Sequence, residues 1–321
     1  MKVIVTGGAG FIGSNFIIYW LKNYPNDQVV NIDKLTYAAD LRNLKGTNKN
    51  YRFVKGDISD KKFVEKNFND ADIIVNFAAE SHVDNSIKNS ENFVKSNIVG
   101  VHNLLEVVRI NNTRFHQIST DEVYGSLPLK SSKKFREDSR YDPRNPYSAT
   151  KASADFLVRA YYNTYRIPAT ISNCSNNYGP NQHPEKLIPK TILNAYLGNK
   201  IGIYGNGKQV RDWIYVEDHC SAIDKIIKKG KIGETYLIGE NGEQTNIDLI
   251  KKILKLMGKP NSLIEFTKDR PGHDQRYAIN ASKIKKQLGW KPGFTFNEGI
   301  ALTITHYLEN KNKYLPKVAQ R

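Results

Sequence analysis

Apolar residues in the first half of the chain come in short runs bounded by glycine, aspartate or asparagine. Between these runs lie stretches in which apolar residues recur every three or four positions. The runs at 2–6, 28–33, 51–55, 73–77, 115–119 and 169–173 read as buried strands, and the periodic stretches at 11–23, 61–68, 91–111 and 146–165 as amphipathic helices. Strict strand–helix alternation predicts an α/β fold with a doubly wound parallel sheet of Rossmann type, because right-handed crossovers lay helices on both faces. Beyond about 173 the rhythm changes. Short strands at 201–204, 209–214, 235–238 and 263–266 mix with helices at 186–197, 217–228, 247–257, 281–288 and 296–310. The expected organisation is a first domain over 1–173 and a smaller α/β lobe over 174–321, with segments free to interleave.

Composition narrows the class. Of 321 residues 39% are hydrophobic and 25% charged, enough apolar material for a sizeable core. No run reaches the roughly 18 apolar residues of a membrane span, and Met1–Gly7 is broken too early to be a signal peptide. The expectation is a cytoplasmic protein without membrane contact. Two cysteines, Cys174 and Cys220, lack metal or redox spacing and read as buried hydrophobes, so no metal site is expected. The net charge of +16 admits nucleic acid or anionic metabolites as partners. No nucleic-acid motif accompanies it, and lysine runs such as 130–134 and 225–229 read as solvated faces.

Chemistry starts at the first strand's end. Gly8-Ala9-Gly10-Phe11-Ile12-Gly13 fits G-x-G-x-x-G between a strand and a helix. Glycines there permit a tight turn and close backbone approach to a pyrophosphate, and the helix N-terminus supplies free N–H groups. Asp33 ends the next strand about 20 residues on, where a carboxylate accepts from a ribose 2′-OH and repels a 2′-phosphate, so NAD is favoured over NADP. Asp57-Ile58 and Ala78-Ala79 follow the third and fourth strands, beside the same cofactor.

Tyr147 and Lys151 stand four residues apart on a predicted helix, hence on one face. A tyrosine of pKa about 10 is a poor base near neutrality. A neighbouring ammonium and an oxidised nicotinamide favour its phenolate, which then takes a proton from a substrate hydroxyl. Thr120 follows the fifth strand and can bond the reacting oxygen. Asp121 and Glu122 add two adjacent carboxylates. In isolation these read as a solvated turn; beside a redox pair they read as a general acid and base, which hydride transfer alone does not need.

With these blocks, and with 174–180, 184–189, 211–219 and 269–274, the chain from residue 1 to about 307 resembles the dTDP-glucose 4,6-dehydratases among the extended short-chain dehydrogenases/reductases. The resemblance implies that Tyr147 deprotonates the C4 hydroxyl as hydride leaves C4 for NAD. Glu122 takes the C5 proton, Asp121 protonates the departing C6 hydroxyl, and the hydride returns to C6. It implies a cofactor site lined by Gly7, Gly10, Phe11, Ile12, Gly13, Asp33, Lys34, Leu35, Thr36, Asp57, Ile58, Ala78, Ala79, Ser96, Tyr147, Lys151 and Asn177. It further implies a dTDP-glucose site lined by Ser81, Thr120, Asn176, Lys186, Leu187, Arg211, Asn246, Arg270 and His273. Lys186, Arg211 and Arg270 also suit a diphosphate on physical grounds. A homodimer on the helices at 91–111 and 146–165, and a place in deoxysugar synthesis such as that of rhamnose, are implied as well. The chain departs from the usual pattern at Asn173, Asn181, His183, Ala39-Asp40 and Asn280. A sugar-nucleotide 4-epimerase would share the glycine loop, Asp33, Thr120, Tyr147 and Lys151 but have no use for Asp121 and Glu122 together, whereas a UDP- or GDP-hexose dehydratase would share much of the chemistry and differ in the nucleotide. A catalytically dead NAD-binding regulator would have no use for Tyr147 and Lys151.

Overall fold

The computed structural model describes residues 1–269 and 271–319. Its strands are β1 (Lys2–Thr6), β2 (Gln28–Asp33), β3 (Tyr51–Lys55), β4 (Ile73–Asn76), β5 (Arg114–Thr120), β6 (Ala169–Cys174), β7 (Asn176–Tyr178), β8 (Ile201–Tyr204), β9 (Val210–Tyr215), β10 (Thr235–Ile238), β11 (Glu243–Thr245) and β12 (Ile264–Thr267). Seven form one parallel sheet in the order β10-β6-β5-β4-β1-β2-β3. The order reverses between β1 and β4, and at such a point the strand ends open a crevice for ligands.

The sheet is buried on both faces, which is why its strands are apolar runs rather than alternating ones. Val3, Val5, Phe16, Ile17 and Trp20 pack on one side, and Ile4, Ile74, Leu104, Phe115 and Val158 on the other. Polar side chains in the central strands are matched across the ladder: Thr6 Oγ1 donates to Asn76 Oδ1 (2.5 Å), and Asn76 Nδ2 to Gln117 Oε1 (2.8 Å). Leaving such buried groups unpaired would cost on the order of 1–3 kcal/mol each.

The chain does not divide at 173. Helix Val216–Lys229 packs on helix Phe11–Asn23, and β10, which follows it, adds to the edge of the large sheet beside β6. Residues 210–245 thus begin in the small lobe, cross back to the large one and leave it again. The small lobe holds the mixed sheet β11-β9-β7 and the pair β12-β8 around Tyr178, Trp213, Ile253 and Tyr307. Another departure lies at 91–111, where the expected single helix is interrupted. A π turn, Lys95–Val99, separates Glu91–Val94 from Gly100–Asn111. Cys174 and Cys220 are free and buried. Among the described residues no helix is long and apolar enough to cross a membrane.

Candidate active site

One cavity of about 520 Å³ runs along the C-terminal ends of the strands and between the lobes. Its floor is the glycine turn. Gly7 has φ +68°, and a Cβ there would sit 2.6 Å from the Ala78 nitrogen; one on Gly13 would sit 2.5 Å from the Gly7 carbonyl oxygen. Only glycine fits at either place. N-cap Gly10 offers no side chain to the first-turn N–H groups of helix Phe11–Asn23, and such an end suits an anion. Asp33 is held rigid: the Ala9 N–H donates to Oδ2 (3.0 Å) and the Leu35 N–H to Oδ1 (2.8 Å). Turn, helix end and fixed carboxylate together fit a dinucleotide with a free ribose 2′-OH.

Gly7, Gly10, Phe11, Ile12, Gly13, Asp33, Lys34, Thr36, Asp57, Ile58, Ala78, Ala79, Ser96, Tyr147, Lys151 and Asn177 all line this cavity. Leu35 does not; it adopts φ 61° and serves through its backbone N–H. The π turn explains Ser96. An extra residue in the helical turn rotates Ser96 to accept from Lys34 Nζ (2.7 Å). The same turn aims Asn97 at the loop after β4, where its Nδ2 donates to the Glu80 carbonyl (3.0 Å) and to Thr150 Oγ1 (2.9 Å). Asn97 was not legible in sequence, because a π turn has no periodicity signal of its own.

At the far end Ser81, Thr120, Asn176, Lys186, Leu187, Arg211, Asn246 and His273 line the cavity; Arg270 lies outside the described residues. Arg211 is nearly buried, with its guanidinium 4.3 Å from the centre of the Tyr277 ring and two N–H groups on the Val210 and Asp274 carbonyls. Tyr277, a lining residue the sequence did not single out, donates to Asp274 Oδ2 (2.5 Å). Tyr37, His82, His183 and Glu185 gather at the mouth: Tyr37 donates to Glu185 Oε1 (3.0 Å), between imidazoles 3.7 and 3.8 Å from that carboxylate.

Between the two ends stands the reactive group. β5 ends in Thr120, whose Oγ1 caps the 3-10 turn Asp121–Tyr124 by accepting from the Glu122 N–H (3.3 Å). Glu122 lines the cavity; Asp121 is outside the lining and fully buried, with Thr120 Oγ1 donating to its Oδ1 (3.3 Å). Among the described residues Asp121 Oδ2 has no partner. Burial first, then Glu122 and Asp212, hold its carboxyl well above the usual carboxylate range, so it keeps a proton where an exposed aspartate loses one.

Helix Pro146–Tyr165 begins with a capping box at Asn145 and brings Tyr147 and Lys151 to the cavity. Burial, then Glu122 and Cys174, push the phenol well above its ordinary value, and the Thr120 hydrogen bond opposes them. Lys151 Nζ donates to the Ile118 carbonyl (2.6 Å). Burial opposes the phenolate in this pocket, so both cations expected beside it, the Lys151 ammonium and an oxidised nicotinamide, have that desolvation to offset.

A helix carrying tyrosine and lysine beside a dinucleotide cleft defines an extended short-chain dehydrogenase/reductase. The profile of GDP-mannose 4,6-dehydratases matches residues 4–303, and the chain belongs to that family. It is 52% identical to the low-salt glycan biosynthesis protein Agl12 of Haloferax volcanii, over 96% of this chain and 99% of that one. It is 47% identical to a dTDP-glucose 4,6-dehydratase of Mycobacterium tuberculosis, over 98% and 96%. A dTDP-glucose 4,6-dehydratase from Streptomyces venezuelae, solved with NAD bound, superposes with a TM-score of 0.95 at 41% identity, covering 98% of this chain and 99% of the other.

Proposed function

We propose that the chain is an NAD-dependent dTDP-glucose 4,6-dehydratase, forming dTDP-4-dehydro-6-deoxyglucose and water. The observation that carries this reading is Asp121: a wholly buried carboxyl, held well above the usual carboxylate range first by that burial, next in sequence to Glu122 on the cavity wall. An epimerase has no task for that pair. The names of relatives near half identity support the thymidine nucleotide.

NAD held on the glycine turn supplies a reversible hydride acceptor. Asp33 takes its ribose hydroxyl, and Lys151 and Asn177 line the nicotinamide end. Tyr147 accepts the C4 hydroxyl proton, and Thr120 holds the C4 oxygen. With C4 a ketone, the C5 proton is acidic; Glu122 removes it while Asp121 gives its proton to the C6 hydroxyl, which leaves as water. Arg211 and Lys186, with Arg270, bind the diphosphate.

Incubation with dTDP-glucose, UDP-glucose and GDP-mannose in turn tests the reading. The expected result is loss of one water from the dTDP sugar, seen by mass spectrometry with no net consumption of NAD. Turnover of UDP-glucose alone, or inversion at C4 without loss of mass, would refute it.

The functional unit is a cytoplasmic homodimer. Val99, Ile110, Phe156 and Tyr165 are 42%, 68%, 53% and 52% exposed, on the turn before helix Gly100–Asn111, on that helix and on its neighbour Pro146–Tyr165. Covering such apolar surface favours a second copy at about 25 cal/mol per Å² buried. Sedimentation equilibrium should give twice the chain mass of 36.5 kDa, and Ile110→Asp with Phe156→Asp should return it to a single chain. A monomeric wild type would contradict this assembly.

A further inference from the structure

We infer that Asp155 is a positioning residue for the Tyr147–Lys151 couple, a buried anion one helical turn beyond the lysine that keeps it charged and fastens the catalytic helix to the end of β5. The inference rests on Tyr147 and Lys151 acting as proposed above.

Asp155 lies outside the cavity and is wholly buried, one helical turn beyond Lys151. A lone carboxylate at such depth is strongly disfavoured unless hydrogen-bonded and paired. Its Oδ2 accepts from three side chains on three different segments: Ser119 Oγ of β5 (2.8 Å), Asn173 Nδ2 of β6 (3.0 Å) and Tyr141 OH of the preceding loop (2.9 Å). Asn173 Nδ2 also donates to the Thr120 carbonyl (3.2 Å), so one amide links the anion to the backbone of a reactive residue. Asn173 is a position where the chain departs from the usual family pattern, and it supplies this link.

The charges around the knot decide its role. Lys151 is wholly buried, and burial lowers its proton affinity; Asp155 is the first of the groups that oppose this, followed by Cys174. Burial in turn raises Asp155, while Lys151 and the three donors hold it down. The other titratable groups facing the knot and its lysine are Cys174 at the end of β6, Arg159 on the same helix, Tyr124 in the turn after β5, and Tyr141. Tyr124 and Tyr141 are held neutral, pushed up by burial and then by Asp155 itself. Arg159 is engaged with Tyr141, its Nη2 donating to the hydroxyl (2.8 Å) and its guanidinium 4.8 Å from the ring centre. Asp155 therefore acts on the Lys151 ammonium as a neighbouring buried charge one helical turn away, while Lys151 Nζ itself donates to the Ile118 carbonyl. Without it, Lys151 releases its proton at lower pH and Tyr147 loses the cation that favours its phenolate.

The test is the pH profile of the single-turnover rate of nicotinamide reduction for Asp155→Asn, a step that precedes water loss and so does not report Asp121. It is read on whichever nucleotide sugar the wild-type enzyme turns over, so a wrong substrate assignment leaves the comparison intact. The alkaline limb, where Lys151 loses its proton, should move down by about one pH unit or more, the size of effect a close opposite charge exerts. KM should stay near its wild-type value while kcat falls. Asp155→Ser, which keeps an acceptor without the charge, should give the same shift, and serves if the amide variant does not fold. Tyr141→Phe removes one donor but keeps the anion. Its alkaline limb should stay in place. An unmoved alkaline limb in both Asp155 variants, or an equal movement in Tyr141→Phe, would overturn the inference.

Discussion

Glu122→Gln and Asp121→Asn should each slow the release of water by roughly 10²–10⁴-fold, the usual loss for a general acid or base, while oxidation at C4 persists. The two substitutions keep volume and shape and remove only proton transfer. Glutamine at 122 cannot take the C5 proton. Asparagine at 121 can still accept from Thr120 but has no proton to give the leaving hydroxyl. In single-turnover experiments with bound NAD, absorbance of the reduced nicotinamide should therefore rise and persist, where the wild type shows only a transient. Hydride transfer and water loss failing together in both variants would refute the separate roles. The pH dependence follows from the same proton inventory. Asp121 works protonated and its carboxyl is raised by burial; elimination is lost as pH climbs through that raised value and is present below it.

Tyr147→Phe should have the broader effect. Without the phenol nothing takes the C4 hydroxyl proton, so the first step fails and both later steps with it. A fall of roughly 10²–10⁴-fold in kcat is expected, with no burst of reduced nicotinamide, in contrast to the carboxylate variants. The fold should survive, since the change deletes one hydroxyl from a helix held by its capping box and by Ala152, Ala154 and Val158. The wild type should show an acid limb set by the raised phenol: activity appears as pH rises through that value. Bound oxidised cofactor should move the limb down by adding a cation. A variant retaining a burst comparable with wild type would remove Tyr147 from the mechanism.

Much of the fold was legible because a parallel sheet buried on both faces writes its strands as unbroken apolar runs. β1 to β6 and the helices between them stand close to where periodicity puts them. The glycine turn, Asp33 and the Tyr-x-x-x-Lys helix were legible for a different reason: each is local, and its spacing carries its geometry. What sequence did not reveal depends on contacts far along the chain. The return of β10 to the large sheet is a pairing with β6, and Thr235 gives no sign of its partner Ile171. Tyr277 reaches the cavity wall because it packs on Arg211, and no motif records that stacking. Asp121 and Glu122 look alike in sequence; only the fold buries one and leaves the other on the cavity surface.

The crossing of segments 210–245 between the lobes bears on how such an enzyme changes its substrate. A contiguous C-terminal cassette cannot be exchanged for another without also replacing an edge strand of the cofactor-binding sheet and the helix Val216–Lys229 that packs on helix Phe11–Asn23. Recombination at a single junction would break the protein's main scaffold. New sugar or base preference must instead arise by point changes made in situ, in side chains such as Asn246 or His273, under constant demand that the shared framework still assemble.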